Sequence, residues 1–364
     1  MFYILFLIII LYYLTIIALI YGFTEVNTTD TIDLSPKTNF SILVPFRNEA
    51  ENLPKLLESF SNLNYPSDLF EVILIDDDSD FRFQISDFRF RVSIIDNIRV
   101  SNSPKKDAIT TAMKVAKNEW IITTDADCLV HKDWLLALDN FIQTHSVSMI
   151  AGAVTYDCNT TFLHHFQQLD LASLQGATIG SFGLGQGFMC NGANFAYTQS
   201  FFKELNGFEG NNQIASGDDV FLLQKAIAQN PKKVQYLKSK NNIVTTKPLN
   251  DWKSLFHQRI RWASKTSSYQ SKFGIGLGLI VFVGNISWLL VIGYWLLGFG
   301  DLYGMLFLLL SKIVVDFLLI HKTNSFLKSK TNHYLISSLF YPFFSVSVAL
   351  YSLFGKYEWK GRTF

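Results

Sequence analysis

Apolar residues are spread unevenly along this chain and crowd its two ends. Residues 1–22, MFYILFLIIILYYLTIIALIYG, carry no charge and are long enough to cross a hydrocarbon core of roughly 30 Å. The stretch has neither the basic leader nor the small-residue cleavage site of a signal peptide, so it reads as a retained anchor. Three further apolar runs, 274–299, 302–321 and 333–355, predict C-terminal spans. The middle one holds Lys312 and Asp316 one helical turn apart. A pair at that spacing lowers the cost of burying either charge.

Between residues 24 and 273 short apolar runs alternate with helical periodicities, the pattern of an α/β domain. NFSILVPF (39–46) predicts a buried strand. NLPKLLESFSNL (52–63) predicts a helix capped by Asn52, with Pro54 tolerated in its first turn. FEVILIDDDSD (70–80) is a second strand running into four aspartates, SPKKDAITTAMKVAKN (103–118) a second helix, EWIITTDAD (119–127) a third strand and SVSMIAGAVTY (146–156) a fourth. The glycine-rich stretch 179–197 lacks the register of a dinucleotide fingerprint and is expected to be a mobile loop bordering a cleft. In 249–273, Trp252, Phe256 and Ile260 recur every fourth residue, which predicts a helix lying on a membrane surface. Gln258, Arg261 and Trp262 share another face of it.

Charge adds an exclusion. With 31 basic and 30 acidic residues among 364 there is no electrostatic footprint for nucleic acid. Cys128, Cys158 and Cys190 lie far apart without a C-x-x-C motif, so neither a zinc site nor a disulfide framework is expected. A reduced, cytosol-facing domain between membrane segments fits best. Lys322, Lys328 and Lys330 inside and an uncharged N-terminus outside obey the positive-inside rule. Three full C-terminal spans would then put the basic tail GKYEWKGRTF outside, and the sequence does not decide between that and one incomplete span.

Candidate chemistry gathers at strand ends, where ligands bind in open α/β sheets. Asp76 with Asp77, Asp125 with Asp127, and Asp218 with Asp219 fall at or near such ends. A strand-end acid is more often a cap or a solvated charge, and a short acidic motif alone is weak. Side chains two apart on an extended strand share a side, so Asp125 and Asp127 converge if extension persists through Ala126. Two hard carboxylates with open positions suit Mg²⁺ or Mn²⁺ bridging a diphosphate. His131 follows the turn and is expected to be incidental.

Taken in order, these segments resemble the membrane-bound glycosyltransferases of family 2. VPFRNEAENL looks like the family's opening strand and turn, and VILIDDDSD like its V-D-D-x-S segment, with Asp78 where glycine is common. SPKKDAI is similar to G-K-x-x-A-L, with Pro104 in place of the glycine. TTDADC resembles the metal-binding D-x-D, GANFAYTQSFFKELNGF the acceptor-side segment, and GDD the E-D pair, with Asp218 replacing glutamate. HQRIRW matches Q-x-x-R-W through Gln258, Arg261 and Trp262, and WKGR (359–362) recurs in some members.

The resemblance implies a GT-A fold, α/β with a mixed, mostly parallel sheet, between N- and C-terminal transmembrane helices. Its parts would be an anchor (1–22), a catalytic domain (39–248), an interfacial helix (249–273), membrane helices (274–355) and a basic tail (356–364). It implies inverting transfer of a sugar from a nucleotide diphosphate, UDP favoured, to a lipid, lipid-linked or glycan acceptor. Asp219 would be the base and Asp218 its partner. Asp125 and Asp127 would hold Mg²⁺ or Mn²⁺. Pro45, Arg47, Glu49, Asp76, Asp77, Lys105 and Asp125 would surround the donor, and Gln258, Arg261 and Trp262 the diphosphate and acceptor. The protein would be integral to a membrane, bacterial inner membrane favoured, with its catalytic domain in the cytosol. Competing readings are a processive polysaccharide synthase, a two-carboxylate hydrolase, and a non-enzymatic membrane-anchored nucleotide-binding or assembly subunit.

Overall fold

The computed structural model describes residues 2–31, 33–84, 87–159, 161–299, 302–354, 358–359 and 362–363. In chain order the elements begin α1 (Phe2–Glu25), β1 (Phe40–Phe46), α2 (Leu53–Ser61), β2 (Phe70–Asp76), β3 (Arg91–Asp96), α3 (Pro104–Met113), β4 (Trp120–Thr123), β5 (Cys128–Leu129) and α4 (Trp134–Thr144). They continue β6 (Met149–Gly152), β7 (Val154–Tyr156), α5 (Phe162–Gly183), β8 (Phe195–Thr198), α6 (Gln199–Glu204), α7 (Asp218–Gln229), β9 (Val234–Leu237) and β10 (Val244–Thr246). Last come α8 (Trp252–Ser264), α9 (Lys272–Leu296), α10 (Leu302–Leu327), α11 (Tyr334–Phe354) and a two-stranded ribbon, β11 (Glu358–Trp359) with β12 (Arg362–Thr363).

These elements form two compact units. One, the sheet unit, comprises Asn27–Asp157 and Met189–Lys247; the other, the helical unit, comprises Met1–Val26, Cys158–Phe188 and Pro248–Phe364.

In the sheet unit seven strands run in the order β3-β2-β1-β4-β8-β6-β9. All neighbours are parallel except β8, which is antiparallel to both β4 and β6. The mixed, mostly parallel α/β sheet inferred from the sequence is therefore present. Ile42, Val44, Val72, Leu74 and Ile122 are fully buried, as continuous apolar runs must be when helices cover both faces of a parallel sheet. Phe60 of α2 stacks on Trp134 of α4 with ring centroids 6.2 Å apart. Parallel register sets Phe46 beside Asp76, while β4 ends with Thr123 beside Leu43. Asp76 and the segment after Thr123 thus leave the sheet at the carboxyl ends of β2 and β4, on either side of β1.

Two local expectations need correction. The run 146–156 is not one strand: it breaks at Ala153, and β7 crosses into a second sheet of order β5-β10-β7. Asn52 occupies the N-cap position of α2 but makes no capping bond. Its Nδ2 instead donates to Glu49 Oε2 at 2.6 Å.

The helical unit holds four helices long and apolar enough to cross a membrane: Leu5–Glu25 within α1, α9, α10 and α11. Lys312 Nζ and Asp316 Oδ2 pair at 2.6 Å, as their spacing predicts, and Tyr12 of α1 donates its hydroxyl to Asp316 Oδ1 at 2.6 Å. α5 lies inside the 39–248 range but groups here, packed on α1 and α10. A methyl group added at Gly180 would fall 2.4 Å from the carbonyl oxygen of Leu19, and one at Gly183 1.8 Å from that of Gly22. Residues 179–183 are therefore the last turn of a closely packed helix, not part of a mobile loop.

On the apolar face of α8, Trp252 stands edge-on to Phe340 and Phe256 edge-on to Tyr351, and Ile260 is buried, so α11 packs on this face while Trp252 remains exposed. Of the basic tail, residues 356, 357, 360, 361 and 364 lie outside the described residues, so the centre of the WKGR motif does too.

Candidate active site

Three chain segments distant in sequence meet at one ammonium. Ser103 precedes α3 in an extended conformation and Pro104 opens the helix, a position where its missing N–H costs nothing. Lys105 follows in the first turn. Its Nζ lies 2.7 Å from Asp125 Oδ1 and 3.5 Å from Asp218 Oδ2. Asp218 and Asp219 open α7 behind Gly217, whose φ of 80° is the left-handed cap that glycine adopts without strain. Asp219 accepts the backbone N–H of Gly192 on Oδ2 (2.8 Å) and of Val220 on Oδ1 (2.7 Å). Asp218 is buried and Asp219 only partly so, so of the two Asp219 is the more open to a substrate.

Gly192 is the keystone of this arrangement. A methyl group there would stand 3.1 Å from Lys105 Nζ, 3.2 Å from Asp218 Oδ2 and 3.4 Å from Asp219 Cβ. Thr123, at the end of β4, donates its hydroxyl to the Gly192 carbonyl at 2.9 Å. Asn194 Nδ2 donates to the carbonyls of Ala153 and Asn242, and its Oδ1 accepts from Trp134 Nε1. Far from being mobile, the 191–194 segment is fastened on both sides, and it brings a backbone donor to the acid pair. Sequence reasoning missed Gly192 and Asn194; their signal was the asparagine–glycine alternation in NGAN.

Asp125 and Asp127 do not converge by strand alternation. Extension ends at Asp125, Ala126 and Asp127 form a turn, and Cys128 N–H closes it onto the Asp125 carbonyl at 3.2 Å. Burial, then Asp127 and Asp125, push the Cys128 thiol well above its ordinary pKa, so it stays a neutral thiol beside two carboxylates. Burial alone would lower the Lys105 pKa. Asp125, then Asp218 and Asp219, more than reverse this and hold the ammonium charged above the ordinary lysine range.

The second acid group is differently occupied. Asp77 is buried; its Oδ1 accepts from Asn97 Nδ2 at 2.7 Å and sits 3.5 Å from Arg99 Nη1. Asp76 Oδ1 accepts the Ser79 N–H at 2.9 Å. Arg47 donates to the Asp77 carbonyl at 2.9 Å and faces Asp78 Oδ2 at 3.4 Å. Asp78 has φ 64°, in the left-handed region that short polar residues tolerate and others strain in. Pro45 lies within β1 beside Ile75, and Glu49 receives the Asn52 amide.

Gln258, Arg261 and Trp262 belong to the helical unit. There a residue that the motif leaves unnamed organises them. Buried Arg259 places Nε 2.5 Å from Asp170 Oδ2 of α5, donates to Gln258 Oε1, and lies over the Trp262 ring at 4.2 Å.

Among the described residues no group of three or more His, Cys, Asp or Glu side chains is poised to hold a metal. The donor set at Asp125 and Asp127 is nonetheless chemically apt. It consists of carboxylate oxygens, its neighbouring thiol stays protonated, and three aspartates, Asp125, Asp218 and Asp219, around one lysine leave an excess of negative charge. A hard cation that keeps waters and takes ligands from a bound phosphate fits such a site.

Comparison with known proteins adds a likeness to one family over part of the chain. Residues 41–205 match the model of "Glycosyl transferase family 2". Glycosyltransferase AglE of Haloferax volcanii is 25% identical over 120 residues, 32% of this chain and 39% of that protein. Poly(ribitol-phosphate) beta-N-acetylglucosaminyltransferase TarS of Staphylococcus aureus is 28% identical over 109 residues, 29% of this chain and 19% of that protein. The matched stretch thus spans well under two thirds of either relative. Mannosyltransferase PcManGT from Pyrobaculum calidifontis, solved in complex with GDP-Man and Mn2+, superposes with a TM-score of 0.57 over 96% of both chains at 15% identity. That likeness is one of fold.

Proposed function

We propose, from the match of residues 41–205 to glycosyl transferase family 2, that this chain is a membrane-bound, inverting enzyme of that family. It transfers a hexose from a nucleotide-diphosphate sugar, UDP favoured, to a lipid, lipid-linked or glycan acceptor. The observation that carries the proposal is the meeting of Asp125, Asp218 and Asp219 around Lys105 and Gly192.

Each group has a physical task. The acceptor hydroxyl is a poor nucleophile. Asp219 takes its proton as the new bond to the anomeric carbon forms and the bond to the diphosphate breaks. Two backbone N–H groups hold the Asp219 carboxylate in place before the acceptor arrives. Asp218, tied to Lys105, orients the acceptor side. Lys105 puts positive charge where the leaving diphosphate gains negative charge. Asp127 with Asp125 would hold a divalent cation, Mg²⁺ or Mn²⁺, which would supply further charge neutralisation to the leaving group. Asp76 and Asp77 receive the base or ribose, with Arg47, Glu49 and Pro45 shaping the turn beside them. For Gln258, Arg261 and Trp262 the motif resemblance alone supports a role, Arg261 toward diphosphate and Trp262 toward acceptor. The four apolar helices support residence in a membrane, and the positive-inside rule applied to Lys322, Lys328 and Lys330 favours a cytosol-facing sheet unit.

Asp219→Asn, assayed with a labelled nucleotide sugar and a membrane extract as acceptor, should lose nearly all transfer while still binding donor in a thermal-shift titration. Transfer near the unmodified rate would remove Asp219 as base. Screening UDP- and GDP-sugars with Mn²⁺ in the same titration identifies the donor, because a ligand of the folded state raises apparent stability. Asp127→Ala should erase the cation dependence of that shift.

A further inference from the structure

The helical unit carries a groove outside the candidate active site. An open, mostly apolar groove of about 590 Å³ runs between α10 and α11. Val314, Phe317, Leu335 and Ile336 line it, and Thr331 and His333 stand at its mouth on the connecting loop. Val314, Leu335 and Ile336 are more than half exposed, so the groove is an unfilled slot on a surface that would otherwise face lipid chains.

Charge identifies what fits. From Phe317 to Tyr357 the sequence contains no aspartate or glutamate, but it contains His321, Lys322, Lys328, Lys330, His333 and Lys356. Lys322 lies over the Phe23 ring of α1 at 5.7 Å. Lys328, Lys330 and His333 are exposed, and among the described residues neither of these lysines is paired with a carboxylate. The loop that carries them is pre-shaped. Asn324 accepts the Ser329 N–H at 2.9 Å and donates to the Lys330 carbonyl at 3.4 Å, and His321 meets Thr331 Oγ1 at 3.4 Å. Buried nearby, His165 reports the same field: burial, then His333, His164 and Lys330, pull its pKa below the ordinary histidine value.

We propose that the α10–α11 groove binds an anionic phospholipid, one acyl chain lying along Val314, Phe317, Leu335 and Ile336 and the phosphate resting on Lys328, Lys330, Thr331 and His333. Lys330 immediately precedes Thr331, which lines the groove, an arrangement that suits a ligand apolar at one end and negative at the other. The proposal does not depend on the transferase reading.

The test is native mass spectrometry of the full chain in detergent, titrated separately with dioleoyl phosphatidylglycerol and dioleoyl phosphatidylcholine. One saturable equivalent of phosphatidylglycerol is expected, retained at least about tenfold more strongly than phosphatidylcholine. Lys328→Gln and Lys330→Gln should each weaken it roughly fivefold, the amount one lysine near an anionic lipid surface supplies, and leave phosphatidylcholine unchanged. Leu335→Trp, which fills the slot, should weaken both lipids. Unchanged melting temperatures verify that the lysine variants fold. Equal retention of the two lipids, or phosphatidylglycerol retention unaltered in the double lysine variant, would overturn the site. Displacement of phosphatidylglycerol by an equal concentration of a polyprenyl phosphate would overturn the choice of a phospholipid.

Discussion

Lys105 Nζ stands 2.7 Å from Asp125 Oδ1 and 3.5 Å from Asp218 Oδ2, so a single ammonium ties the D-x-D turn to the acid pair of α7. Before any donor binds, it offsets charge that Asp125, Asp218 and Asp219 concentrate there. Lys105→Met should therefore act twice. Turnover should fall roughly 100-fold, as when one preorganised donor to a developing anion is removed. Stability without cation should fall by about 1–2 kcal/mol, a buried figure discounted for the exposure of Asp125. Added Mn²⁺ should then raise the melting temperature of the variant more than that of the parent. An equal Mn²⁺ response in both would mean that Lys105 does not share the carboxylates with a cation.

Gly192 leaves room for that ammonium and no more. In Gly192→Ala the new methyl group meets Lys105 Nζ, Asp218 Oδ2 and Asp219 Cβ at 3.1–3.4 Å. The lysine end is flexible and gives way, so the melting temperature should move little. Misplacement of a few tenths of an ångström around the base should nonetheless lower turnover about tenfold, short of the ~100-fold that a full ångström costs. Steady-state kinetics beside a thermal melt separate the two effects.

Asp78 holds φ 64° at the end of the β2 turn. Asp78→Gly removes backbone strain together with the contact to Arg47, whose 3.4 Å approach to a well-exposed carboxylate contributes little. Its stability should stay within about 0.5 kcal/mol of the parent. Asp78→Val keeps the strain and adds a branched side chain, and should cost about 1–2 kcal/mol. Chemical denaturation of the two variants checks the ordering; equal loss in both would place the cost in the side-chain contact instead.

Much of this architecture is legible in the sequence, and the failures share a cause. The parallel strands announce themselves as uninterrupted apolar runs such as Ile42–Val44 and Val72–Ile75, because both faces are buried. Pairings set by distant residues do not. β8 is only four residues long and enters the sheet antiparallel, a choice made by β4 and β6 rather than by Phe195–Thr198. Asp125 and Asp127 stand out by type, yet the turn between them depends on a single backbone bond to Cys128. Gly176, Gly180 and Gly183 lower helix propensity and suggest a loop, and close packing against another helix overrides that. Arg259 was hidden because it stands at one of the positions that the Q-x-x-R-W pattern leaves open.

That hidden residue gives a sharp test. Arg259 and Asp170 are each almost fully buried, with Nε and Oδ2 2.5 Å apart. Breaking such a pair by removing one partner leaves an uncompensated charge and costs about 3–5 kcal/mol. Asp170→Asn and Arg259→Leu should each destabilise the protein by that order, and the double variant by less than their sum, since it leaves no lone charge. Additive losses in detergent melts would show that the two side chains act independently.

The tightest contacts in the helical unit make the last prediction. Gly22, Gly180 and Gly183 let α1 and α5 approach backbone to backbone, so that a methyl group at any of them meets main-chain atoms at 2.1, 2.4 and 1.8 Å, respectively. Backbone cannot swing aside as a lysine end can, so Gly183→Ala must push the helices apart, against the van der Waals packing by which small residues hold apolar helices together. It should lower the melting temperature in detergent far more than Gly276→Ala, where a methyl group meets nothing within 4 Å. By the same argument, deletion of residues 1–26 should not release a well-behaved fragment, because it uncovers the glycine face of α5. Recovery of a monodisperse, cooperatively melting protein after that deletion would show that α1 is a detachable anchor rather than part of the helical unit.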